Sequence, residues 1–272
     1  MGAADVVQLV LQRQQYLEQL AKQPQRRSDL VDSVGDSRPT VHRATEELDE
    51  KGLVEKQNGT YEITREGELI LDAVRGATAA TETIESGNRL IEHFPDEAPL
   101  DPVFFRDAEA VPVQPPSMEA NVEKAIRRIK DADRLCGLGV ADNSTKFAQT
   151  IYDQSVEKEE LQLDLVLEKH VMESLVNRHI DWMVNLVKSD YADIRVCESI
   201  PYGMYVADEG PSPADGIVYL LVHGDQSEYL GHFEAESQPA IRWAEAVFRD
   251  YFVAADPLEE HVPEDALESE SS

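Results

Sequence analysis

The stretch of sequence that decides the fold is SRPTVHRATEELDEKGLVEKQNGTYEIT, residues 37–64. Its first half has the features of a helix. Ser37 is a preferred N-cap residue, and Pro39 lies in the first turn, where its missing N–H costs nothing. Gly52 is a typical C-terminal stop. We therefore predict a helix from Ser37 to about Lys51. Its inward positions are Val41, Ala44, Thr45 and Leu48.

The second half of the stretch predicts a hairpin, and two further helices are predicted before it. The pair Asn58-Gly59 separates two extended runs, which is the strongest short-range signal of a β-hairpin. Residues 5–22 place apolar side chains at helical spacing, and Pro24 ends that helix. Residues 26–34 form a second, shorter helix. Three helices followed by a two-stranded hairpin is the order of a winged helix-turn-helix, which we place at residues 1–63.

The predicted winged domain carries basic and hydroxyl side chains where DNA would bind. In such a domain the second helix of the pair enters the major groove with its N-terminal residues, and the wing contacts the backbone or the minor groove. Arginine reads guanine edges, while Ser and Thr contact phosphates or bases. The candidate DNA-binding residues are Arg26, Arg27, Ser37, Arg38, Thr40, His42, Arg43, Lys56 and Asn58. We expect the acidic Glu46, Glu47, Asp49 and Glu50 to lie away from the groove. The alternative is a winged helix used only for protein contacts.

The charge distribution separates this segment from the rest of the chain. The formal net charge is −29, but residues 1–61 hold 8 Lys/Arg and 10 Asp/Glu, a net of −2, which leaves −27 for the remainder. Acidity on this scale is explained either by a need for high solubility or by adaptation to a cytoplasm of very high salt. Molar salt shortens the Debye length to about 3 Å, so repulsion from DNA would act only near contact. The segment spared from acidification is therefore a candidate nucleic-acid surface.

Several classes of protein are excluded by composition. No run approaches the roughly 18 apolar residues of a membrane helix, and residues 1–15 lack the basic segment of a secretory signal. Cys136 and Cys197 form neither a disulfide framework nor a zinc motif. His170 and His179 would not face together on a helix. We expect a soluble cytoplasmic protein with no membrane partner, no metal and no cofactor.

Residues 64–94 predict one long helix with a seam of small and apolar side chains. The seam alternates three and four residues apart over three heptads. Its candidate dimerisation residues are Ile70, Ala73, Ala77, Ala80, Ile84 and Ile91, with Gly87 between the last two. Such a seam predicts a homodimer that places two winged domains on two half-sites of DNA. The alternative is a helix packed against its own chain.

The remainder of the chain predicts a second domain. Residues 95–117 contain six prolines and are interpreted as a linker. Residues 118–255 alternate helices and strands and then form a run of strands, which favours an α/β domain with a mixed sheet. Residues 256–272 hold seven acidic residues and no Lys or Arg, so we predict a disordered tail. The predicted fold class is α+β: a winged helix-turn-helix, a connecting helix and the α/β domain.

The order of these blocks resembles a known family. SRPTVHRATEELDEKGLVEKQNGTYEITREGELI, then the proline-rich segment, the strands and the closing IRWAEAVFRDYF are similar to archaeal, chiefly haloarchaeal, winged helix-turn-helix regulators with a C-terminal α/β output or sensor domain. The resemblance implies a transcription regulator that binds double-stranded DNA, and a salt-rich cytoplasm. His42 stands where related domains often have Ser or Gly, so their base preference is not carried over.

The second domain also resembles the phospholipase D-like sensor domain of archaeal sugar-responsive regulators. The catalytic form of that fold needs His-x-Lys-x4-Asp, with His as nucleophile. The nearest counterpart is Tyr202-Gly203-Met204 with Glu209, so both the nucleophile and the lysine are replaced. The resemblance implies a domain that has lost the chemistry and kept a cleft for a small effector. The candidate effector-binding residues are Tyr202, Met204, Asn143 and Glu168. The rival functions are a transcription adapter that does not touch DNA and a phospholipase D-like hydrolase.

Overall fold

The chain divides into two compact units, Met1–Ala79 and Ala80–Ser272. The structure is a computed structural model. It describes residues 2–113, 117–141, 144–208, 210 and 216–268. Within this part of the chain, no helix has the length and apolar character needed to span a bilayer.

The N-terminal unit is a winged helix-turn-helix, as predicted. Its helices are α1 (Ala3–Lys22), α2 (Arg27–Val34), α3 (Arg38–Glu50) and the first part of α4 (Arg65–Ser86). Its strands are β1 (Gln25–Arg26), β2 (Val54–Gln57) and β3 (Thr60–Ile63), paired antiparallel in the order β1-β3-β2. Their apolar faces share one core, whose fully buried side chains include Tyr16, Leu17, Leu30, Val41, Leu48 and Leu53.

Two local features set the geometry of α3 and the wing. Ser37 Oγ accepts from the backbone N–H of Thr40 at 3.4 Å, which caps the start of α3. The hairpin between β2 and β3 turns at Asn58 and Gly59, whose φ angles are 51° and 83°. Positive φ at both central residues is the signature of a type I′ turn, whose twist matches that of the strands.

The predicted helix over residues 64–94 is wrong only after Ser86, because the helix is interrupted at Gly87. Helix α4 ends at Ser86, and a short helix, α5 (Asn88–Ile91), follows. A Cβ atom built on Gly87 would lie 2.4 Å from Cε1 of Phe233. The chain passes so close to this ring that only glycine fits, and the heptad pattern does not report such a contact.

The C-terminal unit is built on a mixed eight-stranded sheet, which confirms the predicted fold class. Its strands are β4 (Glu109–Pro112), β5 (Arg134–Gly139), β6 (Gln162–Glu168), β7 (Ala192–Cys197), β8 (Gly203–Asp208), β9 (Gly216–His223), β10 (Tyr229–Ala235) and β11 (Asp256–Pro257). Their order is β11-β7-β6-β5-β8-β9-β10-β4. Strands β5, β6 and β7 are parallel and the other pairs are antiparallel.

Helices cover both faces of this sheet. They are α6 (Pro102–Phe105), α7 (Ser117–Asp131), α8 (Thr145–Tyr152), α9 (Lys169–Arg178), α10 (Ile180–Lys188), α11 (Gln238–Ala254) and α12 (Glu264–Glu268), and a π-helical turn (Asp153–Glu157) follows α8. Because side chains alternate along a strand, Met204 and Val206 enter the core beneath α11, while Tyr205 and Ala207 face the opposite core. The sheet therefore separates two apolar layers.

Residues 95–113 of the proline-rich segment are not a free linker, contrary to the prediction for residues 95–117, of which residues 114–116 lie outside the described residues. They contribute α6, where Phe104 is 0% exposed and Phe105 is 3% exposed. Strand β4 then pairs antiparallel with β10, with Val111 opposite His232. Proline is tolerated here because β4 is an edge strand. The aromatic pair buries enough apolar surface to dock a segment whose composition predicts a linker.

The predicted disordered tail, residues 256–272, is also wrong over its first part. Strand β11 pairs with β7, a 3₁₀ helix spans Leu258–His261, and α12 follows. Leu258 is 3% exposed and Val262 is 5% exposed, and both belong to the C-terminal core. Two apolar side chains anchor an otherwise acidic segment, which net charge alone does not reveal.

Candidate nucleic-acid interface and effector cleft

The first two turns of α3 present basic side chains to solvent. Arg38 begins the helix and is exposed, and His42 lies one turn further on the same face. The Arg43 side chain is 69% exposed. These three side chains form what we call the basic face of α3, on the part of the helix that a winged domain uses to read DNA.

The carboxylates of α3 are not held away from this face, contrary to the expectation for Glu46 and Glu47. His42 Nδ1 lies 3.1 Å from Glu46 Oε2, and Arg43 Nε lies 3.7 Å from Glu47 Oε1. The reason is helical geometry, because residues four apart are neighbours on a helix surface. Both basic side chains of the second turn therefore have an acidic neighbour, and an exposed ion pair such as Arg43–Glu47 stabilises by only about 0.3–0.5 kcal/mol.

Ser37 and Thr40 have a structural role that the sequence only half predicts. Their hydroxyl oxygens share a hydrogen bond of 2.8 Å, and Ser37 Oγ also caps the helix. Both hydroxyl groups therefore form hydrogen bonds at the start of α3. These bonds fix the first turn of the helix, which carries the basic face.

Arg27 is a predicted DNA-binding residue whose side chain instead makes contacts within the N-terminal unit. Its Nε donates to Thr45 Oγ1 at 2.9 Å, and its guanidinium carbon lies 5.0 Å from the centroid of the Tyr61 ring. These contacts join α2, α3 and β3. Arg26, one residue earlier, is exposed.

The wing carries two of the predicted residues at its surface. Lys56 is exposed, with its ammonium nitrogen 5.7 Å from the Tyr61 ring centroid. Asn58 is exposed at the turn of the hairpin. The structure therefore leaves Arg26, Arg38, His42, Arg43, Lys56 and Asn58 exposed on the winged unit.

Two contacts that support α3 are not predicted from the sequence. Arg13 on α1 donates to Glu47 Oε2 through Nε at 2.9 Å and through a terminal nitrogen at 2.8 Å. Tyr16 donates to Asp36, just ahead of α3, and burial together with this hydrogen bond raises the pKa of Tyr16 to about 12. Both pairs are 20 or more residues apart, so no local pattern could have found them.

The predicted dimer seam divides between different environments. Ala80 is 4% exposed, and Ile84 and Ile91 pack against the core of the C-terminal unit. Those three residues are therefore part of the chain's own core, which corrects their assignment to a dimer interface. Ile70 packs partly against the core of the winged unit. Ala73 and Ala77 are exposed on α4.

Two of the four predicted effector residues meet at one cleft. Tyr202 and Glu168 line it, together with His170 and His223, and its volume is about 200 Å³. Tyr202 donates to the carbonyl oxygen of Pro99 at 2.9 Å, and burial raises its pKa far above the ordinary value. Both features make it a poor nucleophile, because the hydroxyl stays protonated and bonded.

Met204, the third predicted effector residue, does not line this cleft in the structure. Met204 is 0% exposed and packs in the core beneath α11, because it lies on the opposite side of the strand from the neighbouring Tyr205. This corrects its assignment as an effector contact. Asn143 and Glu209 lie outside the described residues.

A winged helix-turn-helix joined to an α/β unit on a mixed sheet is the architecture of a class of archaeal regulators. Two family models match the chain. One is the HVO_A0261 N-terminal domain, over residues 2–86, and the other is the middle domain of the methanogenesis regulatory protein FilR1, over residues 118–253. The second match covers half of the chain, so the chain belongs to the FilR1 middle-domain family. No curated protein sequence gives a significant match.

Three solved structures align with the chain at low identity. TrmBL2, described as an archaeal chromatin protein with a novel mode of DNA binding, has a TM-score of 0.42 and 13% identity, over 94% of this chain and 99% of that one. NucT from Helicobacter pylori has a TM-score of 0.41 and 10% identity, over 56% and 99%. Nuc from Salmonella typhimurium, a phospholipase D family member, has a TM-score of 0.40 and 11% identity, over 55% and 96%. At this level of similarity, none of the three determines what the chain binds.

Proposed function

We propose that the chain is a sequence-specific transcription regulator that binds double-stranded DNA as a homodimer and senses a small ligand or a partner through its C-terminal unit. One observation carries the DNA-binding part. Arg38, His42 and Arg43 are exposed on the first two turns of α3, the part of a winged domain that enters the major groove.

The ion pairs of α3 are compatible with DNA contact. Arg43 is 3.7 Å from Glu47, and both side chains are more than a third exposed. Such a pair is weak, so a guanine edge or a phosphate can replace the carboxylate at little cost. Arg13 also binds Glu47 at 2.8 Å and would keep that carboxylate engaged when Arg43 leaves.

The remaining predicted contacts fall into two groups. Arg26, Lys56 and Asn58 are exposed and suited to phosphates or to the minor groove. Arg27, Ser37 and Thr40 hold α3 in place through their own hydrogen bonds. We therefore infer that the second group acts on DNA affinity through the position of α3.

The dimer part of the proposal uses the exposed face of α4. Leu69 is 56% exposed, and Ala73 and Ala77 follow it at intervals of four residues. On a helix these three side chains form one stripe. The two alanines leave room for a second helix to approach closely, and the leucine offers it apolar surface. In a two-fold symmetric dimer this stripe would pack against the same stripe of the second copy.

The sensing part rests on family membership and on the cleft at Tyr202 and Glu168. The nearest counterpart of the His-x-Lys motif in this chain is Tyr202-Gly203-Met204, which has neither residue. A cleft without that nucleophile can bind a ligand, and a regulator needs no turnover there.

DNA binding is tested with the full chain in high salt. Genome-wide occupancy first identifies an operator, and titration then compares wild type with Arg38→Ala and Arg43→Ala. Loss of a base contact costs about 1–3 kcal/mol, so each variant should bind the operator roughly tenfold or more weakly. Arg242→Ala, an exposed arginine of the C-terminal unit, is the matched control. Unchanged affinity in both α3 variants, or no occupancy of any DNA site, contradicts the proposal.

The dimer is tested separately by light scattering. Ala77→Glu should convert a dimer into a monomer, because it places a charge against its symmetry mate. Ala4→Glu, at an exposed position of α1, is the control for added charge. A variant that stays dimeric removes α4 from the interface, and a monomeric wild type removes the homodimer altogether.

A further inference from the structure

A second cavity lies on the other face of the C-terminal sheet, beneath α7 and α8. Its volume is about 110 Å³. Aromatic rings form much of its wall, among them Phe147, Tyr205 and Tyr229. Phe147 and Tyr205 meet edge to face, with ring centroids 5.2 Å apart. Tyr205 and the cleft-lining Tyr202 lie on opposite sides of the same sheet, and the two sites share only Leu221 and His223 among their described lining residues.

The cavity wall contains no Lys, Arg, Asp or Glu among the described residues. A charged ligand would therefore lose its hydration without gaining an ionic partner, which is strongly unfavourable. Flat aromatic walls favour a flat ligand, because ring pairs in offset or edge-to-face contact stabilise by about 0.5–1.5 kcal/mol beyond the buried area. The wall thus selects an uncharged aromatic ring.

Two residues of this wall, Asn121 and His223, each have a polar atom that lacks a hydrogen-bond partner in the described part of the chain. Asn121 Nδ2 and His223 Nδ1 are buried, and neither has a hydrogen-bond partner within the described residues. An unsatisfied buried polar group costs about 1–3 kcal/mol. Burial also lowers the pKa of His223, so its imidazole is neutral at neutral pH. A ligand that bonds to these atoms recovers their lost hydrogen bonds.

The polar part of the ligand follows from these atoms. A neutral imidazole nitrogen is either a donor or an acceptor according to tautomer. A hydroxyl group satisfies both cases, because it donates and accepts, and its oxygen can also accept from an amide such as that of Asn121. A carbonyl oxygen can only accept a hydrogen bond, so it would pair with His223 Nδ1 only in the tautomer that carries a proton on that nitrogen. A hydroxyl on the ring is therefore the matching group.

The cavity, at about 110 Å³, is smaller than the apolar cavity of about 150 Å³ that is known to hold benzene. A single ring must therefore also use neighbouring space. A neighbouring cavity of about 100 Å³ shares Ala141, Ser144, Phe147 and Tyr205 with the first. Helix α8 carries Phe147 between the two spaces, and the π-helical turn Asp153–Glu157 follows it. A single ring can occupy parts of both spaces.

We propose that this cavity binds an uncharged monocyclic phenol and that such a compound is an effector of the regulator. The effector role rests on the proposed function. Binding of the compound does not, because it depends only on the cavity between α7, α8 and strands β8 to β10. It assigns a ligand class to a site distinct from the cleft at Tyr202.

Binding is measured by calorimetry on the full chain without DNA. The probes are phenol, toluene, cyclohexanol and benzoate. Phenol should bind about tenfold more tightly than toluene, because only phenol satisfies the buried polar atoms. Cyclohexanol should be weaker because it lacks the aromatic face, and benzoate should not bind because of its charge. Equal affinity for phenol and toluene, or no binding of phenol, overturns the proposal.

Variants identify the site. His223→Leu and Asn121→Leu should each remove the advantage of phenol over toluene, while retained toluene binding shows that the variant is folded. His223 also borders the cleft at Tyr202, so His170→Leu, which alters only that cleft, is the control and should leave phenol affinity unchanged. Phenol affinity that falls in the control but not in the two variants places the ligand elsewhere and contradicts the proposal.

The effector role is measured last, by operator titration with and without phenol. A change in operator affinity that His223→Leu abolishes supports it. Phenol binding without any such change leaves the cavity assignment standing and removes the effector role. Failure of DNA binding itself appears already in the titration without phenol, so the two proposals fail separately.

Discussion

Gly87 and the ring of Phe233 lie so close that a Cβ atom at position 87 would come within 2.4 Å of Phe233 Cε1. The contact joins the break between α4 and α5 to strand β10. Phe233 is itself fully buried and meets Phe94 and Phe105. The close contact between Gly87 and Phe233 lies where α4 ends and where α5 packs into the C-terminal core.

Replacement of this glycine tests the contact. Gly87→Ala should destabilise the C-terminal unit by about 1–3 kcal/mol, because the added methyl group forces a shift of a fully buried ring that packs against Phe94 and Phe105. The backbone at Gly87 has a negative φ of −95°, so the loss would come from the ring and not from backbone strain. Chemical denaturation measures it. Glu85→Ala, exposed two residues earlier, should change stability little.

The C-terminal segment should contribute to stability in spite of its acidity. Leu258 is 3% exposed in the core of the C-terminal unit. Leu258→Ala removes buried methyl groups and leaves a cavity, which costs about 2–5 kcal/mol. Thermal unfolding of the variant and of a chain that ends at Ala255 should both begin at lower temperature. Glu259→Ala, an exposed neighbour, should unfold like the wild type. An unchanged melting temperature on truncation would mean that the segment is not docked.

Acid stability should depend on Glu234. Its hydrogen bond with His232 and its contact with Lys124 lower the pKa of this carboxyl from 4.5 to about 2. Because the folded-state pKa is depressed, the carboxylate contributes stability above about pH 4.5, and this contribution is lost as the pH falls towards 2. Glu234→Gln should therefore lower stability at neutral pH and flatten its decline over that range. Unfolding curves across pH check this, with Glu92→Gln as an exposed control. Parallel curves for wild type and Glu234→Gln would show that the pair contributes nothing.

The cap of α3 should be separable from DNA contact. Ser37→Ala removes the side chain that accepts from Thr40 N–H, and loss of such a cap costs about 0.5–2 kcal/mol. Ser37→Asn restores a capping oxygen and should recover the stability. Denaturation of both variants is compared with their operator affinity. If Ser37→Asn recovers stability without affinity, the hydroxyl touches DNA directly and its role is not limited to the cap.

The sequence by itself determined the winged helix-turn-helix and the presence of a mixed sheet. Ser37, Gly52 and the Asn58-Gly59 pair act through their own backbone geometry, so their effect is readable from neighbouring residues. The same holds for the alternation of Leu161, Leu163, Leu165 and Leu167, the first of which precedes β6. The exposed basic residues of α3 also follow from helical periodicity.

Only the tertiary structure decided where the remaining segments and sites lie. Gly87 meets Phe233, Phe105 meets the same ring, and Leu258 enters a core built from distant strands. The cavity between Asn121 and His223 joins a helix to a strand end about a hundred residues later. Local composition reports the average environment of a segment, such as proline content or charge. Packing depends on whether a few apolar side chains find a complementary surface, and that surface exists only when the sheet has formed.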